Sequence, residues 1–465
     1  DKAFNGCSAL TSLTIPARLT EFTAQKVVGC SALTSIDIRG EGGLYTAKGE
    51  DGRKVLCSAD GTTLIFCPQG MTGTFTIPSG VEVIGEEAFS GCTSLTKVVI
   101  PGYVTTISKN AFKGNSSVTE VDMEDPEGQP LTICEAAFYG CSGLESVTLP
   151  TRLVKLEVNA FGDTSKLTHV TVNTTDKSKL DPPIKVELAN GAFASTKGTS
   201  YVVDAYIGAK ALYFDIPGVL GKKLQRIDVA EENEDYTAVD GVLFDKGVTK
   251  VAFYPIERAG DYTLPETVTE IGANAFLERT GLTGITIGKN VTSIGEGAFR
   301  GCNKMTYVTF TEGGTADLAI DKYAFKGCST LTAVQLPARL KTLGAFTFES
   351  CFNLASITLP EGLTEIGEAA FRYCRDLTEV KLPSTLEKIE LATANTSSSQ
   401  KDKGACTLFI GCFSLEKLSI PDTNRYYGTI DNVLYQKTAE TTTDGDGAET
   451  TVYVVTSLLY CPQNK

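Results

Sequence analysis

Apolar positions along this chain recur as one fixed phrase. Ala88-Phe89-Ser90-Gly91-Cys92 is followed by Leu95, Val98 and Ile100-Pro101. The phrase returns at Phe138-Tyr139-Gly140-Cys141, with Leu144, Val147 and Leu149-Pro150, and again at Phe299-Arg300-Gly301-Cys302 and Phe371-Arg372-Tyr373-Cys374. The commonest step between anchors is 23 residues. A fixed period of this length marks stacked coils, each touching only its neighbours, instead of a closed globule. Within one coil, Val98 and Ile100 share a strand face and Leu95 turns inward just before them. Pro101 ends the strand by removing a donor. Val104-Thr105-Thr106-Ile107 is a second short run of strand type. The Ala-Phe turn closes the coil, its ring filling the interior and its glycine permitting the bend. The pattern predicts a curved right-handed solenoid of about 16 coils, with short parallel strands, brief helical turns and an arc on the order of 75 Å.

The anchors fall at Phe4, Val27, Phe89, Phe112, Phe138, Phe161, Phe193, Phe276, Phe299, Phe325, Phe348, Phe371 and Phe409. Steps of 26, from Phe112 to Phe138 and from Phe299 to Phe325, mark three-residue insertions in polar turns at 124–128 and 312–314. The step of 38 from Phe371 to Phe409 contains 395–401, a stretch of loop composition. A second unit occurs three times. It reads Tyr236 to Phe244 then Val251 to Pro255, with relatives at Val55-Leu56-Cys57 with Leu64 to Pro68, and at Tyr427 to Tyr435 with Leu458 to Pro462. Paired strand-like runs joined by Asp60-Gly61, Lys246-Gly247 or a longer polar loop predict β-hairpins. The chain is thus expected to be one continuous solenoid over 1–465. Repeats occupy 1–43, 71–175 and 259–425, with a loop insertion at 390–405. Hairpin units occupy 44–70, 236–258 and 426–465. Residues 176–235 fit worst and are expected to form an irregular coil with an insertion, with a break at Asp181-Pro182-Pro183 and room for a short helix between Val203 and Leu224.

At Leu95-Thr96-x-Val98-x-Ile100-Pro101, at Val291 to Cys302 and at the Asp240 to Phe244 hairpin, the chain resembles the bacterial BspA-like leucine-rich repeat (LRR) surface proteins. The resemblance implies a secreted or surface-anchored protein of a bacterium that adheres to host proteins or other cells. It implies no catalytic residues. Asp1-Lys2-Ala3-Phe4 opens inside a coil, so an export signal is expected upstream of this sequence.

Charge and composition narrow the partners. A net charge of −14 argues against nucleic acid and anionic lipid. No apolar run reaches the 18 residues of a membrane span. Of 14 cysteines, Cys7, Cys30, Cys92, Cys141, Cys302, Cys328, Cys351, Cys374 and Cys412 share one repeat position. Stacked coils hold such side chains about 4.8 Å apart with parallel Cβ vectors, too far for disulfides. A buried thiol ladder is expected, with Asn115 and Asp163 near its line. Cys57 and Cys67 read as packing residues, while the redox state of Cys57, Cys67, Cys134, Cys406 and Cys461 stays open. No Cys-x-x-Cys pair exists and His169 is the sole histidine, so zinc is not expected.

Reaction chemistry is not legible. No serine or cysteine has a second base, and an open sheet gives carboxylates no dry pocket. No enzyme activity and no cofactor are expected. Asp444 to Glu449 reads as a hairpin tip and lacks the offsets of a calcium loop. The candidate binding face is the outward side of the strands: Lys97, Glu120, Asp122, Ser146, His169, Tyr307, Gln335, Glu379 and Lys381. Tyr307 is its one expected aromatic. The leading reading is a non-enzymatic extracellular protein binding host or bacterial surface proteins through that face. The alternatives are a glycan-binding accessory protein of polysaccharide uptake and a spacer for an absent domain.

Overall fold

Most coils contribute two strands, and each of the two joins a different sheet. The computed structural model describes residues 3–460 apart from 51, 126–128, 176–185, 196–201, 210, 212–214, 393–405 and 444–448. The expected loop at 395–401, the break at Asp181 to Pro183 and most of the Asp444 to Glu449 tip lie outside the described residues. The chain divides into two units, Asp1–Glu234 and Asp235–Lys465.

In the first unit, Gly73–Thr76, Leu95–Ile100 and Glu120–Met123 pair in parallel. So do Ser146–Leu149, His169–Val172, Asp204–Ile207 and Arg226–Val229. The second sheet begins with antiparallel Tyr45–Lys48, Val55–Ser58 and Thr63–Phe66. It continues in parallel through Val83–Ile84, Thr106–Ile107, Leu131–Ile133, Leu153–Leu156 and Glu187–Leu188. The expected hairpin therefore starts this sheet and carries one strand more than its two apolar runs predicted.

The second unit repeats the plan. Its first sheet runs from Gly260–Thr263 through seven strands to Lys417–Ser419. Its second starts at the antiparallel Tyr236–Val239, Val242–Asp245 and Lys250–Phe253 and ends at Lys388–Ile389. A third antiparallel set, Tyr427–Ile430, Val433–Thr443 and Glu449–Tyr460, absorbs into its arms most of what the sequence reads as a polar loop.

The anchor phenylalanines stack ring on ring. Phe112 and Phe138 lie 5.0 Å apart and 1° from parallel, and Phe299 and Phe325 lie 5.0 Å apart and 5° from parallel. Phe193 stacks on Phe161 at 5.2 Å, so the column passes through the irregular region. Asp204–Ile207 and Arg226–Val229 stay in register with His169–Val172 there as well. The short helix of that region is Ile216–Leu220, capped by Asp215.

Helical turns are rarer than predicted. Among the described residues they reduce to Ala24–Val27 and Ile216–Leu220. The reason is local backbone geometry. Two residues per coil, two before and two after the anchor ring, adopt left-handed φ: Asn110 at 57° and Gly114 at 76°, or Ala136 at 55° and Gly140 at 71°. Alternating hand prevents a helix from propagating.

The thiol ladder has a function in the fold that spacing alone does not reveal. Each buried ladder thiol after the first coil donates to a backbone carbonyl of the coil before it. Cys141 Sγ donates to Phe112 O at 3.2 Å, Cys302 to Phe276 O at 3.0 Å, and Cys351 to Phe325 O at 3.2 Å. The cysteines of the described residues are free. Cys7 departs from the expectation and is exposed, since no earlier coil among the described residues covers it. Asp163 is also off the line: it takes the left-handed position that Gly140 holds one coil earlier, with φ 51°. Thr164 fills the column instead and donates to Phe161 O at 2.7 Å. Arg279 fills it after the second hairpin, 3% exposed, with its guanidinium 4.7 Å from the Phe253 ring.

Both three-residue insertions are met by a buried arginine. Arg152 donates from Nε to Glu124 O at 2.9 Å and from Nη1 to Val104 O at 2.6 Å. Arg339 donates to Val291 O and, at 3.3 Å, to Gly288 O. The planar donor fork satisfies carbonyls on a coil some fifty residues earlier, which a longer turn would leave unpaired.

Candidate binding face

Outward strand positions form two parallel rows in each unit, because residues i and i+2 of a strand share a face. In the first unit Lys97 pairs in register with Glu120, and Val99 with Asp122. Lys97 Nζ lies 2.5 Å from Glu120 Oε1 and 3.5 Å from Asp122 Oδ2. The Glu120 carboxylate raises the Lys97 ammonium above its ordinary value. Ser146 pairs with His169, and His169 with Asp204. His169 is exposed; its Nε2 lies 3.0 Å from Asp204 Oδ2 and its Nδ1 2.8 Å from Thr168 Oγ1. Arg226 and Asp228 form a two-pronged pair, each contact at 2.7 Å.

Asp204, Tyr206, Arg226 and Asp228 escaped the sequence reading. They extend both rows, and Tyr206 is 43% exposed, which corrects the expectation of a single aromatic. A signal existed: Asp204-Ala205-Tyr206-Ile207 alternates as His169-Val170-Thr171-Val172 does. The 32-residue step from Phe161 to Phe193 hid it.

In the second unit one row runs Gly284, Tyr307, Ala333, Ser356, Glu379 and Lys417. Tyr307 lies across Gly284, where an added Cβ would sit 2.1 Å from the ring. Its hydroxyl reaches Asp261, and that hydrogen bond raises it above the ordinary tyrosine value. Thr283 also donates to Asp261, and together these bonds hold the Asp261 carboxyl low. Gln335 pairs with Thr358 in the adjoining row, and Lys381 with Ser419. Glu379 Oε1 is 2.6 Å from Lys417 Nζ. The structure thus joins Lys97, Glu120 and Asp122 into one cluster. It places Ser146 beside His169, and it sets Tyr307, Gln335, Glu379 and Lys381 on the second unit's own rows. Among the described residues no group of three or more His, Cys, Asp or Glu is arranged to hold a metal ion, and no helix is long and apolar enough to cross a membrane.

Comparison with known proteins places this architecture. The family described as BspA type Leucine rich repeat region, in six copies, matches residues 1–44, 65–180, 246–318 and 318–429. No curated protein matches. Among solved structures, the pneumococcal vaccine antigen PcpA is 21% identical over 82% of this chain and 92% of its own, with a TM-score of 0.49. A leucine-rich cell surface protein from Faecalibacterium prausnitzii is 22% identical over 81% and 94%, with a TM-score of 0.38. A leucine-rich repeat protein from Bacteroides ovatus is 18% identical over 76% and 100%, with a TM-score of 0.40.

Proposed function

Since this chain belongs to the BspA-type leucine-rich repeat family, we propose that it is a non-enzymatic extracellular protein that binds other proteins through its outward strand rows. The observation carrying this reading is the clustered polar pairing on the first unit's rows: Lys97 with Glu120 and Asp122, and His169 with Asp204, across strands, and Arg226 with Asp228 along one strand. These groups stand on hydrogen-bonded strands, so little backbone ordering accompanies binding. Exposed ion pairs of this kind stabilise a fold by only about 0–1 kcal/mol each. Their arrangement serves recognition better, because alternating charge selects partners of complementary pattern. The hydroxyl-rich rows of the second unit, with Tyr307 held flat, add a contact surface of another character.

Substitution separates face from fold. The double variant Glu120→Lys with Asp122→Lys and the native chain are each used to capture proteins from extracellular matrix and from bacterial surfaces, with bound proteins compared by mass spectrometry. Loss of specific partners at unchanged thermal unfolding supports the reading. Identical partner sets and affinities contradict it.

A further inference from the structure

The first unit has an open groove of about 660 Å³ where its hairpin meets the first coil that follows. Lys48, Arg53, Thr74, Thr76, Ser79 and Tyr103 line it, and Glu50 also reaches its wall. This volume is in the range of small-molecule sites.

Its cations differ from four lysines of the same unit. Lys54, Lys97, Lys109 and Lys155 each face a carboxylate at 2.5–2.8 Å. Lys48 and Arg53 have none among the described residues. They are held instead by backbone: Lys48 Nζ donates to Ser79 O at 2.8 Å and Arg53 Nη2 to Thr72 O at 2.8 Å. An added Cβ at Gly61 would meet the Lys48 Cε at 2.4 Å, so the lysine stem lies over that turn. One Lys48 bond and one Arg53 bond leave further donors on each group for a ligand. Tyr103, 37% exposed, is fixed by its hydroxyl donating to Ile77 O at 2.9 Å.

The second unit lacks this chemistry at matching positions. Glu266 stands where Ser79 does, and Asn290 where Tyr103 does. Arg258 there lies over the Tyr254 and Tyr262 rings and donates to Asp240 O. The hairpin at 236–253 therefore does not share the groove's character.

We propose that this groove binds a carboxylate-bearing saccharide, of uronic or sialic type. Lys48 and Arg53 take the carboxylate, Thr74, Thr76 and Ser79 offer hydroxyls to the sugar, and the Tyr103 ring packs against its C–H face. Guanidinium and ammonium groups without an ion-paired acid among the described residues suit a carboxylate, and one aromatic beside several hydroxyls suits a pyranose. This site goes beyond protein binding by the strand rows, and its failure would leave that reading intact.

The test is calorimetric titration of the whole chain with trigalacturonate and with sialyllactose. Neutral galactotriose and a hexaglutamate peptide serve as controls. At least one acidic saccharide is expected to bind, more weakly as salt rises from about 50 to about 500 mM. Affinity is expected to fall by about tenfold or more in Lys48→Gln with Arg53→Gln, and also in Tyr103→Asn, which installs the second unit's residue. The single variant Lys48→Gln gives the same direction should the double variant unfold. Binding by neither acidic saccharide, equal binding of galactotriose, equal or tighter binding of hexaglutamate, or undiminished affinity in folded variants would each overturn the proposal.

Discussion

Cys141 Sγ donates a hydrogen bond to the Phe112 carbonyl 3.2 Å away, so a side chain of one coil closes the backbone of the one before. Cys328 and Cys374 make the same bond to Phe299 and Phe348, each at 3.2 Å. Asn115 occupies this column with both side-chain polar atoms buried and without a hydrogen-bond partner among the described residues. An unsatisfied buried polar group costs about 1–3 kcal/mol. Asn115→Cys, restoring the column, is expected to raise the stability of the chain by on the order of 1 kcal/mol, read as a higher denaturation midpoint in urea.

The ladder also sets a response to alkali. Burial pushes the thiols of Cys141, Cys302 and Cys412 up to about 12 from 9. The folded chain therefore holds these protons more tightly than the unfolded chain does. Their contribution is complete below pH 9 and is lost as pH rises from 9 toward 12. Thermal unfolding is expected to fall steeply over that window, and Cys302→Val is expected to flatten the fall. In native chain at neutral pH, a thiol reagent is expected to label the exposed Cys7 readily and the ladder thiols only after denaturant is added.

The aromatic column should be the most sensitive part of the core. Phe325 is fully buried between Phe299 at 5.0 Å and Phe348 at 5.3 Å. Phe325→Ala is expected to destabilise by about 3–5 kcal/mol, measured by denaturant unfolding followed by circular dichroism.

Backbone hand gives a prediction of opposite sign. Ser350 holds the left-handed position after its anchor at φ 62°, where Gly327 one coil earlier has φ 74°. The left-handed conformation costs a non-glycine residue about 1–2 kcal/mol. Ser350→Gly is expected to raise the melting temperature and Gly327→Ala to lower it.

These cases show what the sequence carried. The Phe anchors, the inward Leu, Val and Ile positions and the hairpin pairs were legible because each coil repeats the same burial and writes it with the same residues. Even Phe193 was legible in a region that otherwise broke the period. The second left-handed residue was half hidden, because Glu87, Asn110 and Ala136 carry a backbone role that glycine announces elsewhere. Arg152 and Arg339 could not be read as insertion bridges, since their partner carbonyls lie on coils distant in sequence. In the first unit the outward rows were read as far as His169. Asp204 needed the register that only coordinates supply. The groove was illegible for a plainer reason: Lys48, Arg53 and Tyr103 meet only through folding.

The most direct check on the outward face is carboxylate footprinting of the chain, alone and with a captured protein partner. A water-soluble carbodiimide labels exposed acids, and mass spectrometry reads each site. Binding through the outward rows predicts that the partner protects Glu120, Asp122, Asp204 and Asp228, while Asp60 and Glu86, away from those rows, label as before. Protection at Asp60 or Glu86 with the outward-row acids unchanged would contradict it.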